Sequence, residues 1–254
     1  MKIGYLQFDI KRDELTNIDI IDNLLSKKSG DLFVLPELIN HGYLFDDKEE
    51  VYKYSHVVPN SDFIQKMCQL SSKYNCCLIF GIIEKEKDNL FNTAVIVNKG
   101  RYVDKYRKKH LSDYEKKYFS SGDKEVIVKI NGVRVGIQIC FDLWFPEISR
   151  YYLKKKVDLI CVLSNFGNKN TFDIARTRSL ENVTPFVLAN RVGEEKNTEI
   201  YATFFGHSTI INHLGKNVKL TTKRINDIQV VDYDFSFNKG NVICRDMIEE
   251  ISKK

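Results

Sequence analysis

The chain has 254 residues, 43% of them apolar and 29% charged, with a net charge of +5. That length carries one large α/β domain or two small ones with a full core. The weak, interspersed positive charge makes no nucleic-acid-binding stripe, and no apolar run is long enough to span a bilayer.

The first segment, Met1 to Asp9, lacks a signal-peptide apolar region and cleavage site, so the expectation is a cytoplasmic protein without a membrane partner. The strand-like run Ile3–Phe8 comes first. Asn17 is then placed to cap a helix with Ile18, Ile21, Leu24 and Leu25 on one face. Leu32–Leu35 is apolar throughout and reads as a strand buried on both faces. Ser61 caps a second helix that turns Phe63, Ile64, Met67, Leu70 and Tyr74 inward. Strands follow at Cys77–Ile83, Ala94–Val97, Val126–Ile130, Val133–Cys140, Leu159–Leu163, Phe186–Ala189, Thr209–Ile211 and Ile228–Phe235. Asn131-Gly132 is a hairpin signal, because a type I′ turn needs positive φ at both positions, and Asn98-Lys99-Gly100 is a second turn. Phe172–Asn182 reads as a further helix. Helices alternate with strands while hairpins intrude, which predicts an α/β protein with mixed sheets. No linker, low-complexity tract or internal repeat divides the sequence, so residues 1–254 are read as one domain.

Six cysteines show neither a C-x-x-C pair nor zinc-ligand spacing, and the five histidines are scattered. No metal, cofactor or disulfide is expected. Five of the cysteines read as small buried hydrophobes. Cys140 stands apart, because it ends an apolar strand and opens a polar turn, where open α/β sheets place their sites. Glu37 follows the buried run Leu32–Leu35 and Pro36, so burial would raise its pKa toward that of a useful base. Lys108 lies within the basic segment Lys105–His110. Taken singly, each has a plainer reading: a cap or surface glutamate, a solvated or phosphate-binding basic patch, a core cysteine.

Together the three segments resemble the nitrilase superfamily of carbon–nitrogen hydrolases. The first motif is LPELINHGY, Leu35 to Tyr43; the second is YRKKHL, Tyr106 to Leu111; the third is GIQICFDLWFPE, Gly136 to Glu147. The segment Tyr114–Gly122 is similar to the one carrying the family's second glutamate, which falls on Glu115. Leu163-Ser164-Asn165, Arg178–Asn182, Ala189–Gly193 and Gly206-His207-Ser208 resemble downstream blocks. The resemblance implies a four-layer α-β-β-α sandwich with two mixed sheets. It implies Cys140 as nucleophile, Glu37 as base, Lys108 as oxyanion stabiliser beside the Phe141 N–H, and Glu115 as a partner of Lys108. His110 is then structural, behind the lysine.

Such a chain would hydrolyse a non-peptide carbon–nitrogen bond through a thioester. Cys140-Phe141-Asp142 departs from the Cys-Trp-Glu of true nitrilases, pointing to an amidase or carbamoylase. A small aliphatic amide or a dicarboxylate monoamide is the expected substrate. An N-carbamoyl compound, a nitrile and a non-catalytic binding module of the same fold stay open. Tyr43, Phe141, Trp144, Asn165 and Phe166 are the substrate-binding candidates. The resemblance implies a homodimer or higher homo-oligomer, with the helix after Pro146 and the Phe172–Asn182 helix as the candidate contacts.

Overall fold

The computed structural model describes residues 1–236 and 244–253. In chain order the elements are β1 (Lys2–Gln7), α1 (Glu14–Leu25), β2 (Leu32–Val34), α2 (Lys48–Lys53), α3 (Asp62–Lys73), β3 (Cys77–Glu86), β4 (Asn89–Asn98) and β5 (Arg101–Arg107). Then come β6 (Ile127–Ile130), β7 (Val133–Ile139), α4 (Pro146–Lys154), β8 (Leu159–Ser164), α5 (Asn170–Asn182), β9 (Phe186–Asn190), β10 (Val192–Lys196) and β11 (Tyr201–Phe205). β12 (Ser208–Ile211), β13 (Asn217–Thr221), β14 (Asp227–Asp232) and α6 (Met247–Glu250) complete them.

Two six-stranded sheets result, in the orders β14-β1-β2-β3-β4-β5 and β13-β12-β9-β8-β7-β6. Each is mixed. β1, β2 and β3 run parallel in the first, and β7, β8 and β9 in the second, with antiparallel strands outside them. The inner faces share one core, in which Ile3, Val34 and Ile79 of the first sheet join Ile137, Cys161 and Val187 of the second. α1 and α3 cover the outer face of the first sheet through Ile21, Leu24, Phe63 and Met67. α4 and α5 cover the second through Ile148, Tyr152 and Ala175. This four-layer arrangement explains the uninterrupted apolar runs: every residue of β8 is buried, because side chains on both faces meet another layer.

All ten expected strands are present, with shifted ends. The hairpin turns behave as their residues require: Asn131 and Gly132 have φ of 47° and 89°, and Lys99 and Gly100 have 49° and 88°. One cap is corrected. α1 begins at Glu14 and is capped by Asp13, whose carboxylate accepts the Thr16 N–H at 2.8 Å. Asn17 lies inside the helix, fully buried, and its amide donates to the carbonyls of Lys11 and Ile39 at 2.6 and 2.8 Å. Asn17 therefore ties α1 to the loop after β2 instead of starting the helix.

Candidate active site

The carboxyl ends of β2 and β7, the middle strand of one parallel trio and the first of the other, open the two segments that matter. Beyond β2 the chain keeps pairing with β3, through Leu35 N to Ile79 O at 2.8 Å, Gly81 N to Pro36 O at 3.2 Å and Ile39 N to Gly81 O at 2.8 Å. This presses the backbone of Glu37 onto Gly81. A Cβ on residue 81 would stand 2.6 Å from the Glu37 Cα, so only glycine leaves room for the turn. Leu38 takes up the bend at φ 52°. Beyond β7, Cys140 itself adopts φ 49° and starts a short 3-10 turn, Cys140–Trp144. A non-glycine residue held in this region is uncommon and is found at functional turns.

Lys108 leaves the end of β5, pinned by Lys108 N to Asn92 O at 2.9 Å and Gly122 N to Lys108 O at 2.8 Å. Its Nζ donates to Glu37 Oε1 at 2.8 Å and Glu115 Oε1 at 2.7 Å, and all three side chains are essentially solvent-free. Glu115 opens a single 3-10 turn in a reciprocal cap: Ser112 N donates to Glu115 Oε2 at 3.0 Å, and Glu115 N donates to Ser112 Oγ at 3.3 Å. Asn92 of β4 binds both carboxylates, donating to Glu37 Oε1 at 2.6 Å and Glu115 Oε1 at 3.0 Å. Glu37 Oε2 is buried without a partner.

These surroundings push the two carboxyls apart. Burial raises the Glu37 pKa, and the Glu115 charge adds to it, outweighing Lys108. Burial alone would also raise Glu115, but the charge and hydrogen bond of Lys108, with the Ser112 N–H and Asn92, hold it below the usual carboxylate range. Lys108 resists its burial because Glu115 and Glu37 face it, and stays well above the ordinary lysine value. Burial and the Glu37 charge push the Cys140 thiol up, against Lys108 and a backbone hydrogen bond from Asn165. Burial thus favours the thiol form of Cys140, with the Glu37 carboxyl and the Lys108 ammonium in its field. A pair of carboxyls split in this way divides the work into one that exchanges protons and one that stays charged.

Asp142 locks the Cys140–Trp144 turn to the lysine segment. Its Oδ2 accepts from Tyr106 OH at 2.7 Å and Ile139 N at 3.1 Å. Its Oδ1 accepts from His110 N at 2.9 Å and Lys109 N at 3.2 Å, and lies 3.1 Å from His110 Nδ1. The His110 ring also stacks on Phe145 at 3.6 Å between ring centres, with its Nδ1 toward Asp142.

The family model for carbon–nitrogen hydrolases matches residues 2–237. The chain belongs to that family. As a carbon–nitrogen hydrolase of the nitrilase superfamily it is 31% identical to a Pyrococcus abyssi protein named nitrilase, over 89% of this chain and 87% of that one. It is 25% identical to the citrullinase of Francisella tularensis, over 93% and 90% of the two chains. An amidase from Nesterenkonia sp. AN1, solved with acrylamide added at its active-site cysteine, shares the fold: the TM-score is 0.79 at 20% identity, covering 92% of this chain and 93% of that one.

The other expected site residues of this hydrolase are placed as follows. Asn165 is buried; its Nδ2 donates to the Glu37 carbonyl at 3.1 Å, and its Oδ1 has no partner. Phe166 is buried and fixed by Phe166 N to Asn190 Oδ1 at 2.7 Å. The Tyr43 hydroxyl lies 3.2 Å from Ser112 Oγ, and burial together with the Glu115 charge keeps it protonated. Phe141 is half-buried, whereas Trp144 is 42% exposed and meets Phe141 at 6.4 Å between ring centres. Asn92, Ser112 and Asp142 are the structural partners that the sequence reading passed over. Asn92 had a signal: an amide amid the apolar residues of β4 needs buried partners.

Proposed function

We propose that this hydrolase releases ammonia from a small aliphatic amide or a dicarboxylate monoamide, with Cys140 as nucleophile. The observation that carries the reading is Lys108 held between Glu37 and Glu115 while the second Glu37 oxygen stays unpartnered. Glu37 takes the Cys140 proton as the sulfur attacks the amide carbon, forming a C–S bond and an oxyanion beside Lys108. A fixed donor at that oxygen is typically worth about 3–4 kcal/mol. Glu37 then passes the proton to nitrogen, the C–N bond breaks, and ammonia leaves a thioester. Water, deprotonated by Glu37, attacks the thioester and frees a carboxylic acid and the thiol. Glu115 stays ionised throughout and holds Lys108 in place. Tyr43, Phe141, Asn165 and Phe166 would line the substrate position, with Trp144 at its rim. The chemistry draws on these side chains and the Phe141 backbone N–H, and calls on no cofactor.

The named citrullinase among the relatives supports a second reading, a carbamoyl compound, whose terminal amide meets the same sulfur. Phe141-Asp142 after the nucleophile favours either over a nitrile. Ammonia release is compared at matched concentration from short aliphatic amides, dicarboxylate monoamides, N-carbamoyl amino acids and the corresponding nitriles. The highest kcat/KM is expected on an amide. A preference for nitriles would overturn the substrate reading, and turnover by Cys140→Ala would overturn the mechanism.

We also propose a cytosolic homodimer. Among the described residues no helix is long and apolar enough to cross a membrane. Leu180 of α5, Leu214 and Trp144 are 53, 43 and 42% exposed. Light scattering on the purified chain tests the dimer, and Leu180→Glu is expected to shift it toward monomer.

A further inference from the structure

The hairpin of β10 and β11 belongs to neither large sheet, yet it is bonded to the loop that follows Glu37. Glu195 of β10 is buried, and its Oε2 accepts the backbone N–H groups of Tyr43 at 2.8 Å and Leu44 at 2.9 Å. Its Oε1 receives Nη1 of Arg191. Arg191 is wholly buried; its Nη2 reaches the Ile10 carbonyl at 3.0 Å and Asp9 Oδ1 at 3.4 Å, and its guanidinium lies 4.4 Å from the Phe204 ring centre. Gly42 has φ 118°, and a Cβ there would overlap Glu195 Oε1, so the carboxylate reaches both amides only because residue 42 is glycine. A second stitch, Asn197 Nδ2 to Phe45 O at 2.7 Å, holds the next turn of the same loop.

On its other side the loop touches the chemistry. The Tyr43 hydroxyl meets Ser112 Oγ, and Ser112 N holds Glu115 Oε2. Phe204 stands edge-on to the Tyr43 ring at 6.4 Å. Buried ion pairs commonly add little net stability over an apolar substitute, so the Arg191–Glu195 pair is better explained by the geometry it imposes. A carboxylate braced on one oxygen and bound to two successive amides on the other leaves the backbone at Tyr43 a single position.

We propose that Glu195 is a positioning residue for hydrolysis. Braced by Arg191, it sets Tyr43 against the Ser112–Glu115 end of the site, so that substrate meets Cys140 in one orientation. This rests on the reading of Glu37, Lys108 and Cys140 as the reacting groups.

The test is a double-mutant cycle on the best amide, with kcat and KM measured for the parent, Glu195→Gln, Tyr43→Phe and both together. Misplacement of a positioned group typically costs about 10- to 100-fold, and Glu195→Gln is expected to lower kcat/KM on that scale. Tyr43→Phe is expected to do the same. The double variant should be no worse than the poorer single one, because both changes interrupt one chain of contacts. Alkylation of Cys140 by iodoacetamide should keep the parent rate in Glu195→Gln, since Glu195 does not touch the sulfur. Multiplying losses in the double variant, or a Glu195→Gln loss below about twofold, would overturn the proposal. If Glu195→Gln does not fold, Arg191→Lys, which keeps the cation and loses the forked contact, enters the same cycle under the same criteria. Cys140→Ala is run in parallel. Full activity there would bring down the reading of the reacting groups, whereas the cycle concerns Glu195 alone.

Discussion

Glu37→Gln isolates the proposed base role from everything else Glu37 does. Both hydrogen bonds to the Glu37 carboxylate arrive at Oε1, from Lys108 Nζ at 2.8 Å and Asn92 Nδ2 at 2.6 Å. A glutamine can place its oxygen there and its amide nitrogen where the partnerless Oε2 now lies. The packing and both bonds survive, and the ability to accept the thiol proton is lost. A positioned general base contributes about 10²- to 10⁴-fold, so kcat is expected to fall by that factor, or about 3–5 kcal/mol in barrier. Stability should move the other way. Two carboxylates around one ammonium leave an excess negative charge in a water-free site, and glutamine removes it. The sign follows from linkage. The folded state raises the Glu37 pKa, so it holds a proton that the unfolded chain has released. Stability therefore falls as pH rises from the unfolded value through the folded one, and the cost is complete above both. Glu37→Gln is free of that cost, so at neutral pH its midpoint of thermal unfolding should equal or exceed the parent's. The acid limb of the parent's kcat/KM should lie above the usual carboxylate range and be absent from the residual activity of the variant. The assays are ammonia release, thermal unfolding, and alkylation of Cys140, which slows if Glu37 draws off its proton. A kcat within tenfold of the parent in a folded protein would refute the assignment of the base.

Cys140→Ala should abolish turnover in a folded protein, and peptide mapping after limited iodoacetamide should find Cys140 modified ahead of Cys76, Cys77 and Cys161, which are completely buried; prior reaction at Cys161 with activity retained would count against it. Glu115→Gln should lower both kcat and the acid-limb pKa, because the Glu115 charge helps to hold Glu37 up; a limb that moves upward contradicts the coupling. Asp142→Asn replaces a buried carboxylate that binds both the nucleophile turn and the lysine segment, and should cost about 2–3 kcal/mol of stability in denaturant titrations, the scale of hydrogen bonds to a charged group. Activity should survive prolonged dialysis against EDTA, and a loss restored by zinc or magnesium would point to a site outside the thiol–carboxylate–ammonium set.

Much of this architecture was legible because burial on two faces writes itself into composition. Leu32–Val34 and Leu159–Leu163 are apolar without alternation, which marks strands between layers. Besides the short helices α2 and α6, the elements missed were edge strands. β5 places only Tyr106 in full burial, β13 is exposed along most of its length, and β10 reads as charged because Glu195 is paired inside. Glu37, Lys108, Glu115 and Cys140 were found through motifs, since their meeting requires two sheets to face each other across 103 residues of sequence from Glu37 to Cys140. Asn92 and Asp142 act only through the groups they bind, so nothing local distinguishes them beyond polarity in a buried setting.

An ammonium has three protons to give. In Lys108 one is committed to Glu37 at 2.8 Å and one to Glu115 at 2.7 Å. A single valence remains, aimed away from both carboxylates. On the proposed mechanism that remaining proton is the one Lys108 would offer the carbonyl oxygen of a substrate, beside the backbone N–H of Phe141. On that reading Lys108 would give a substrate oxygen one proton and no more, whatever walls surround it.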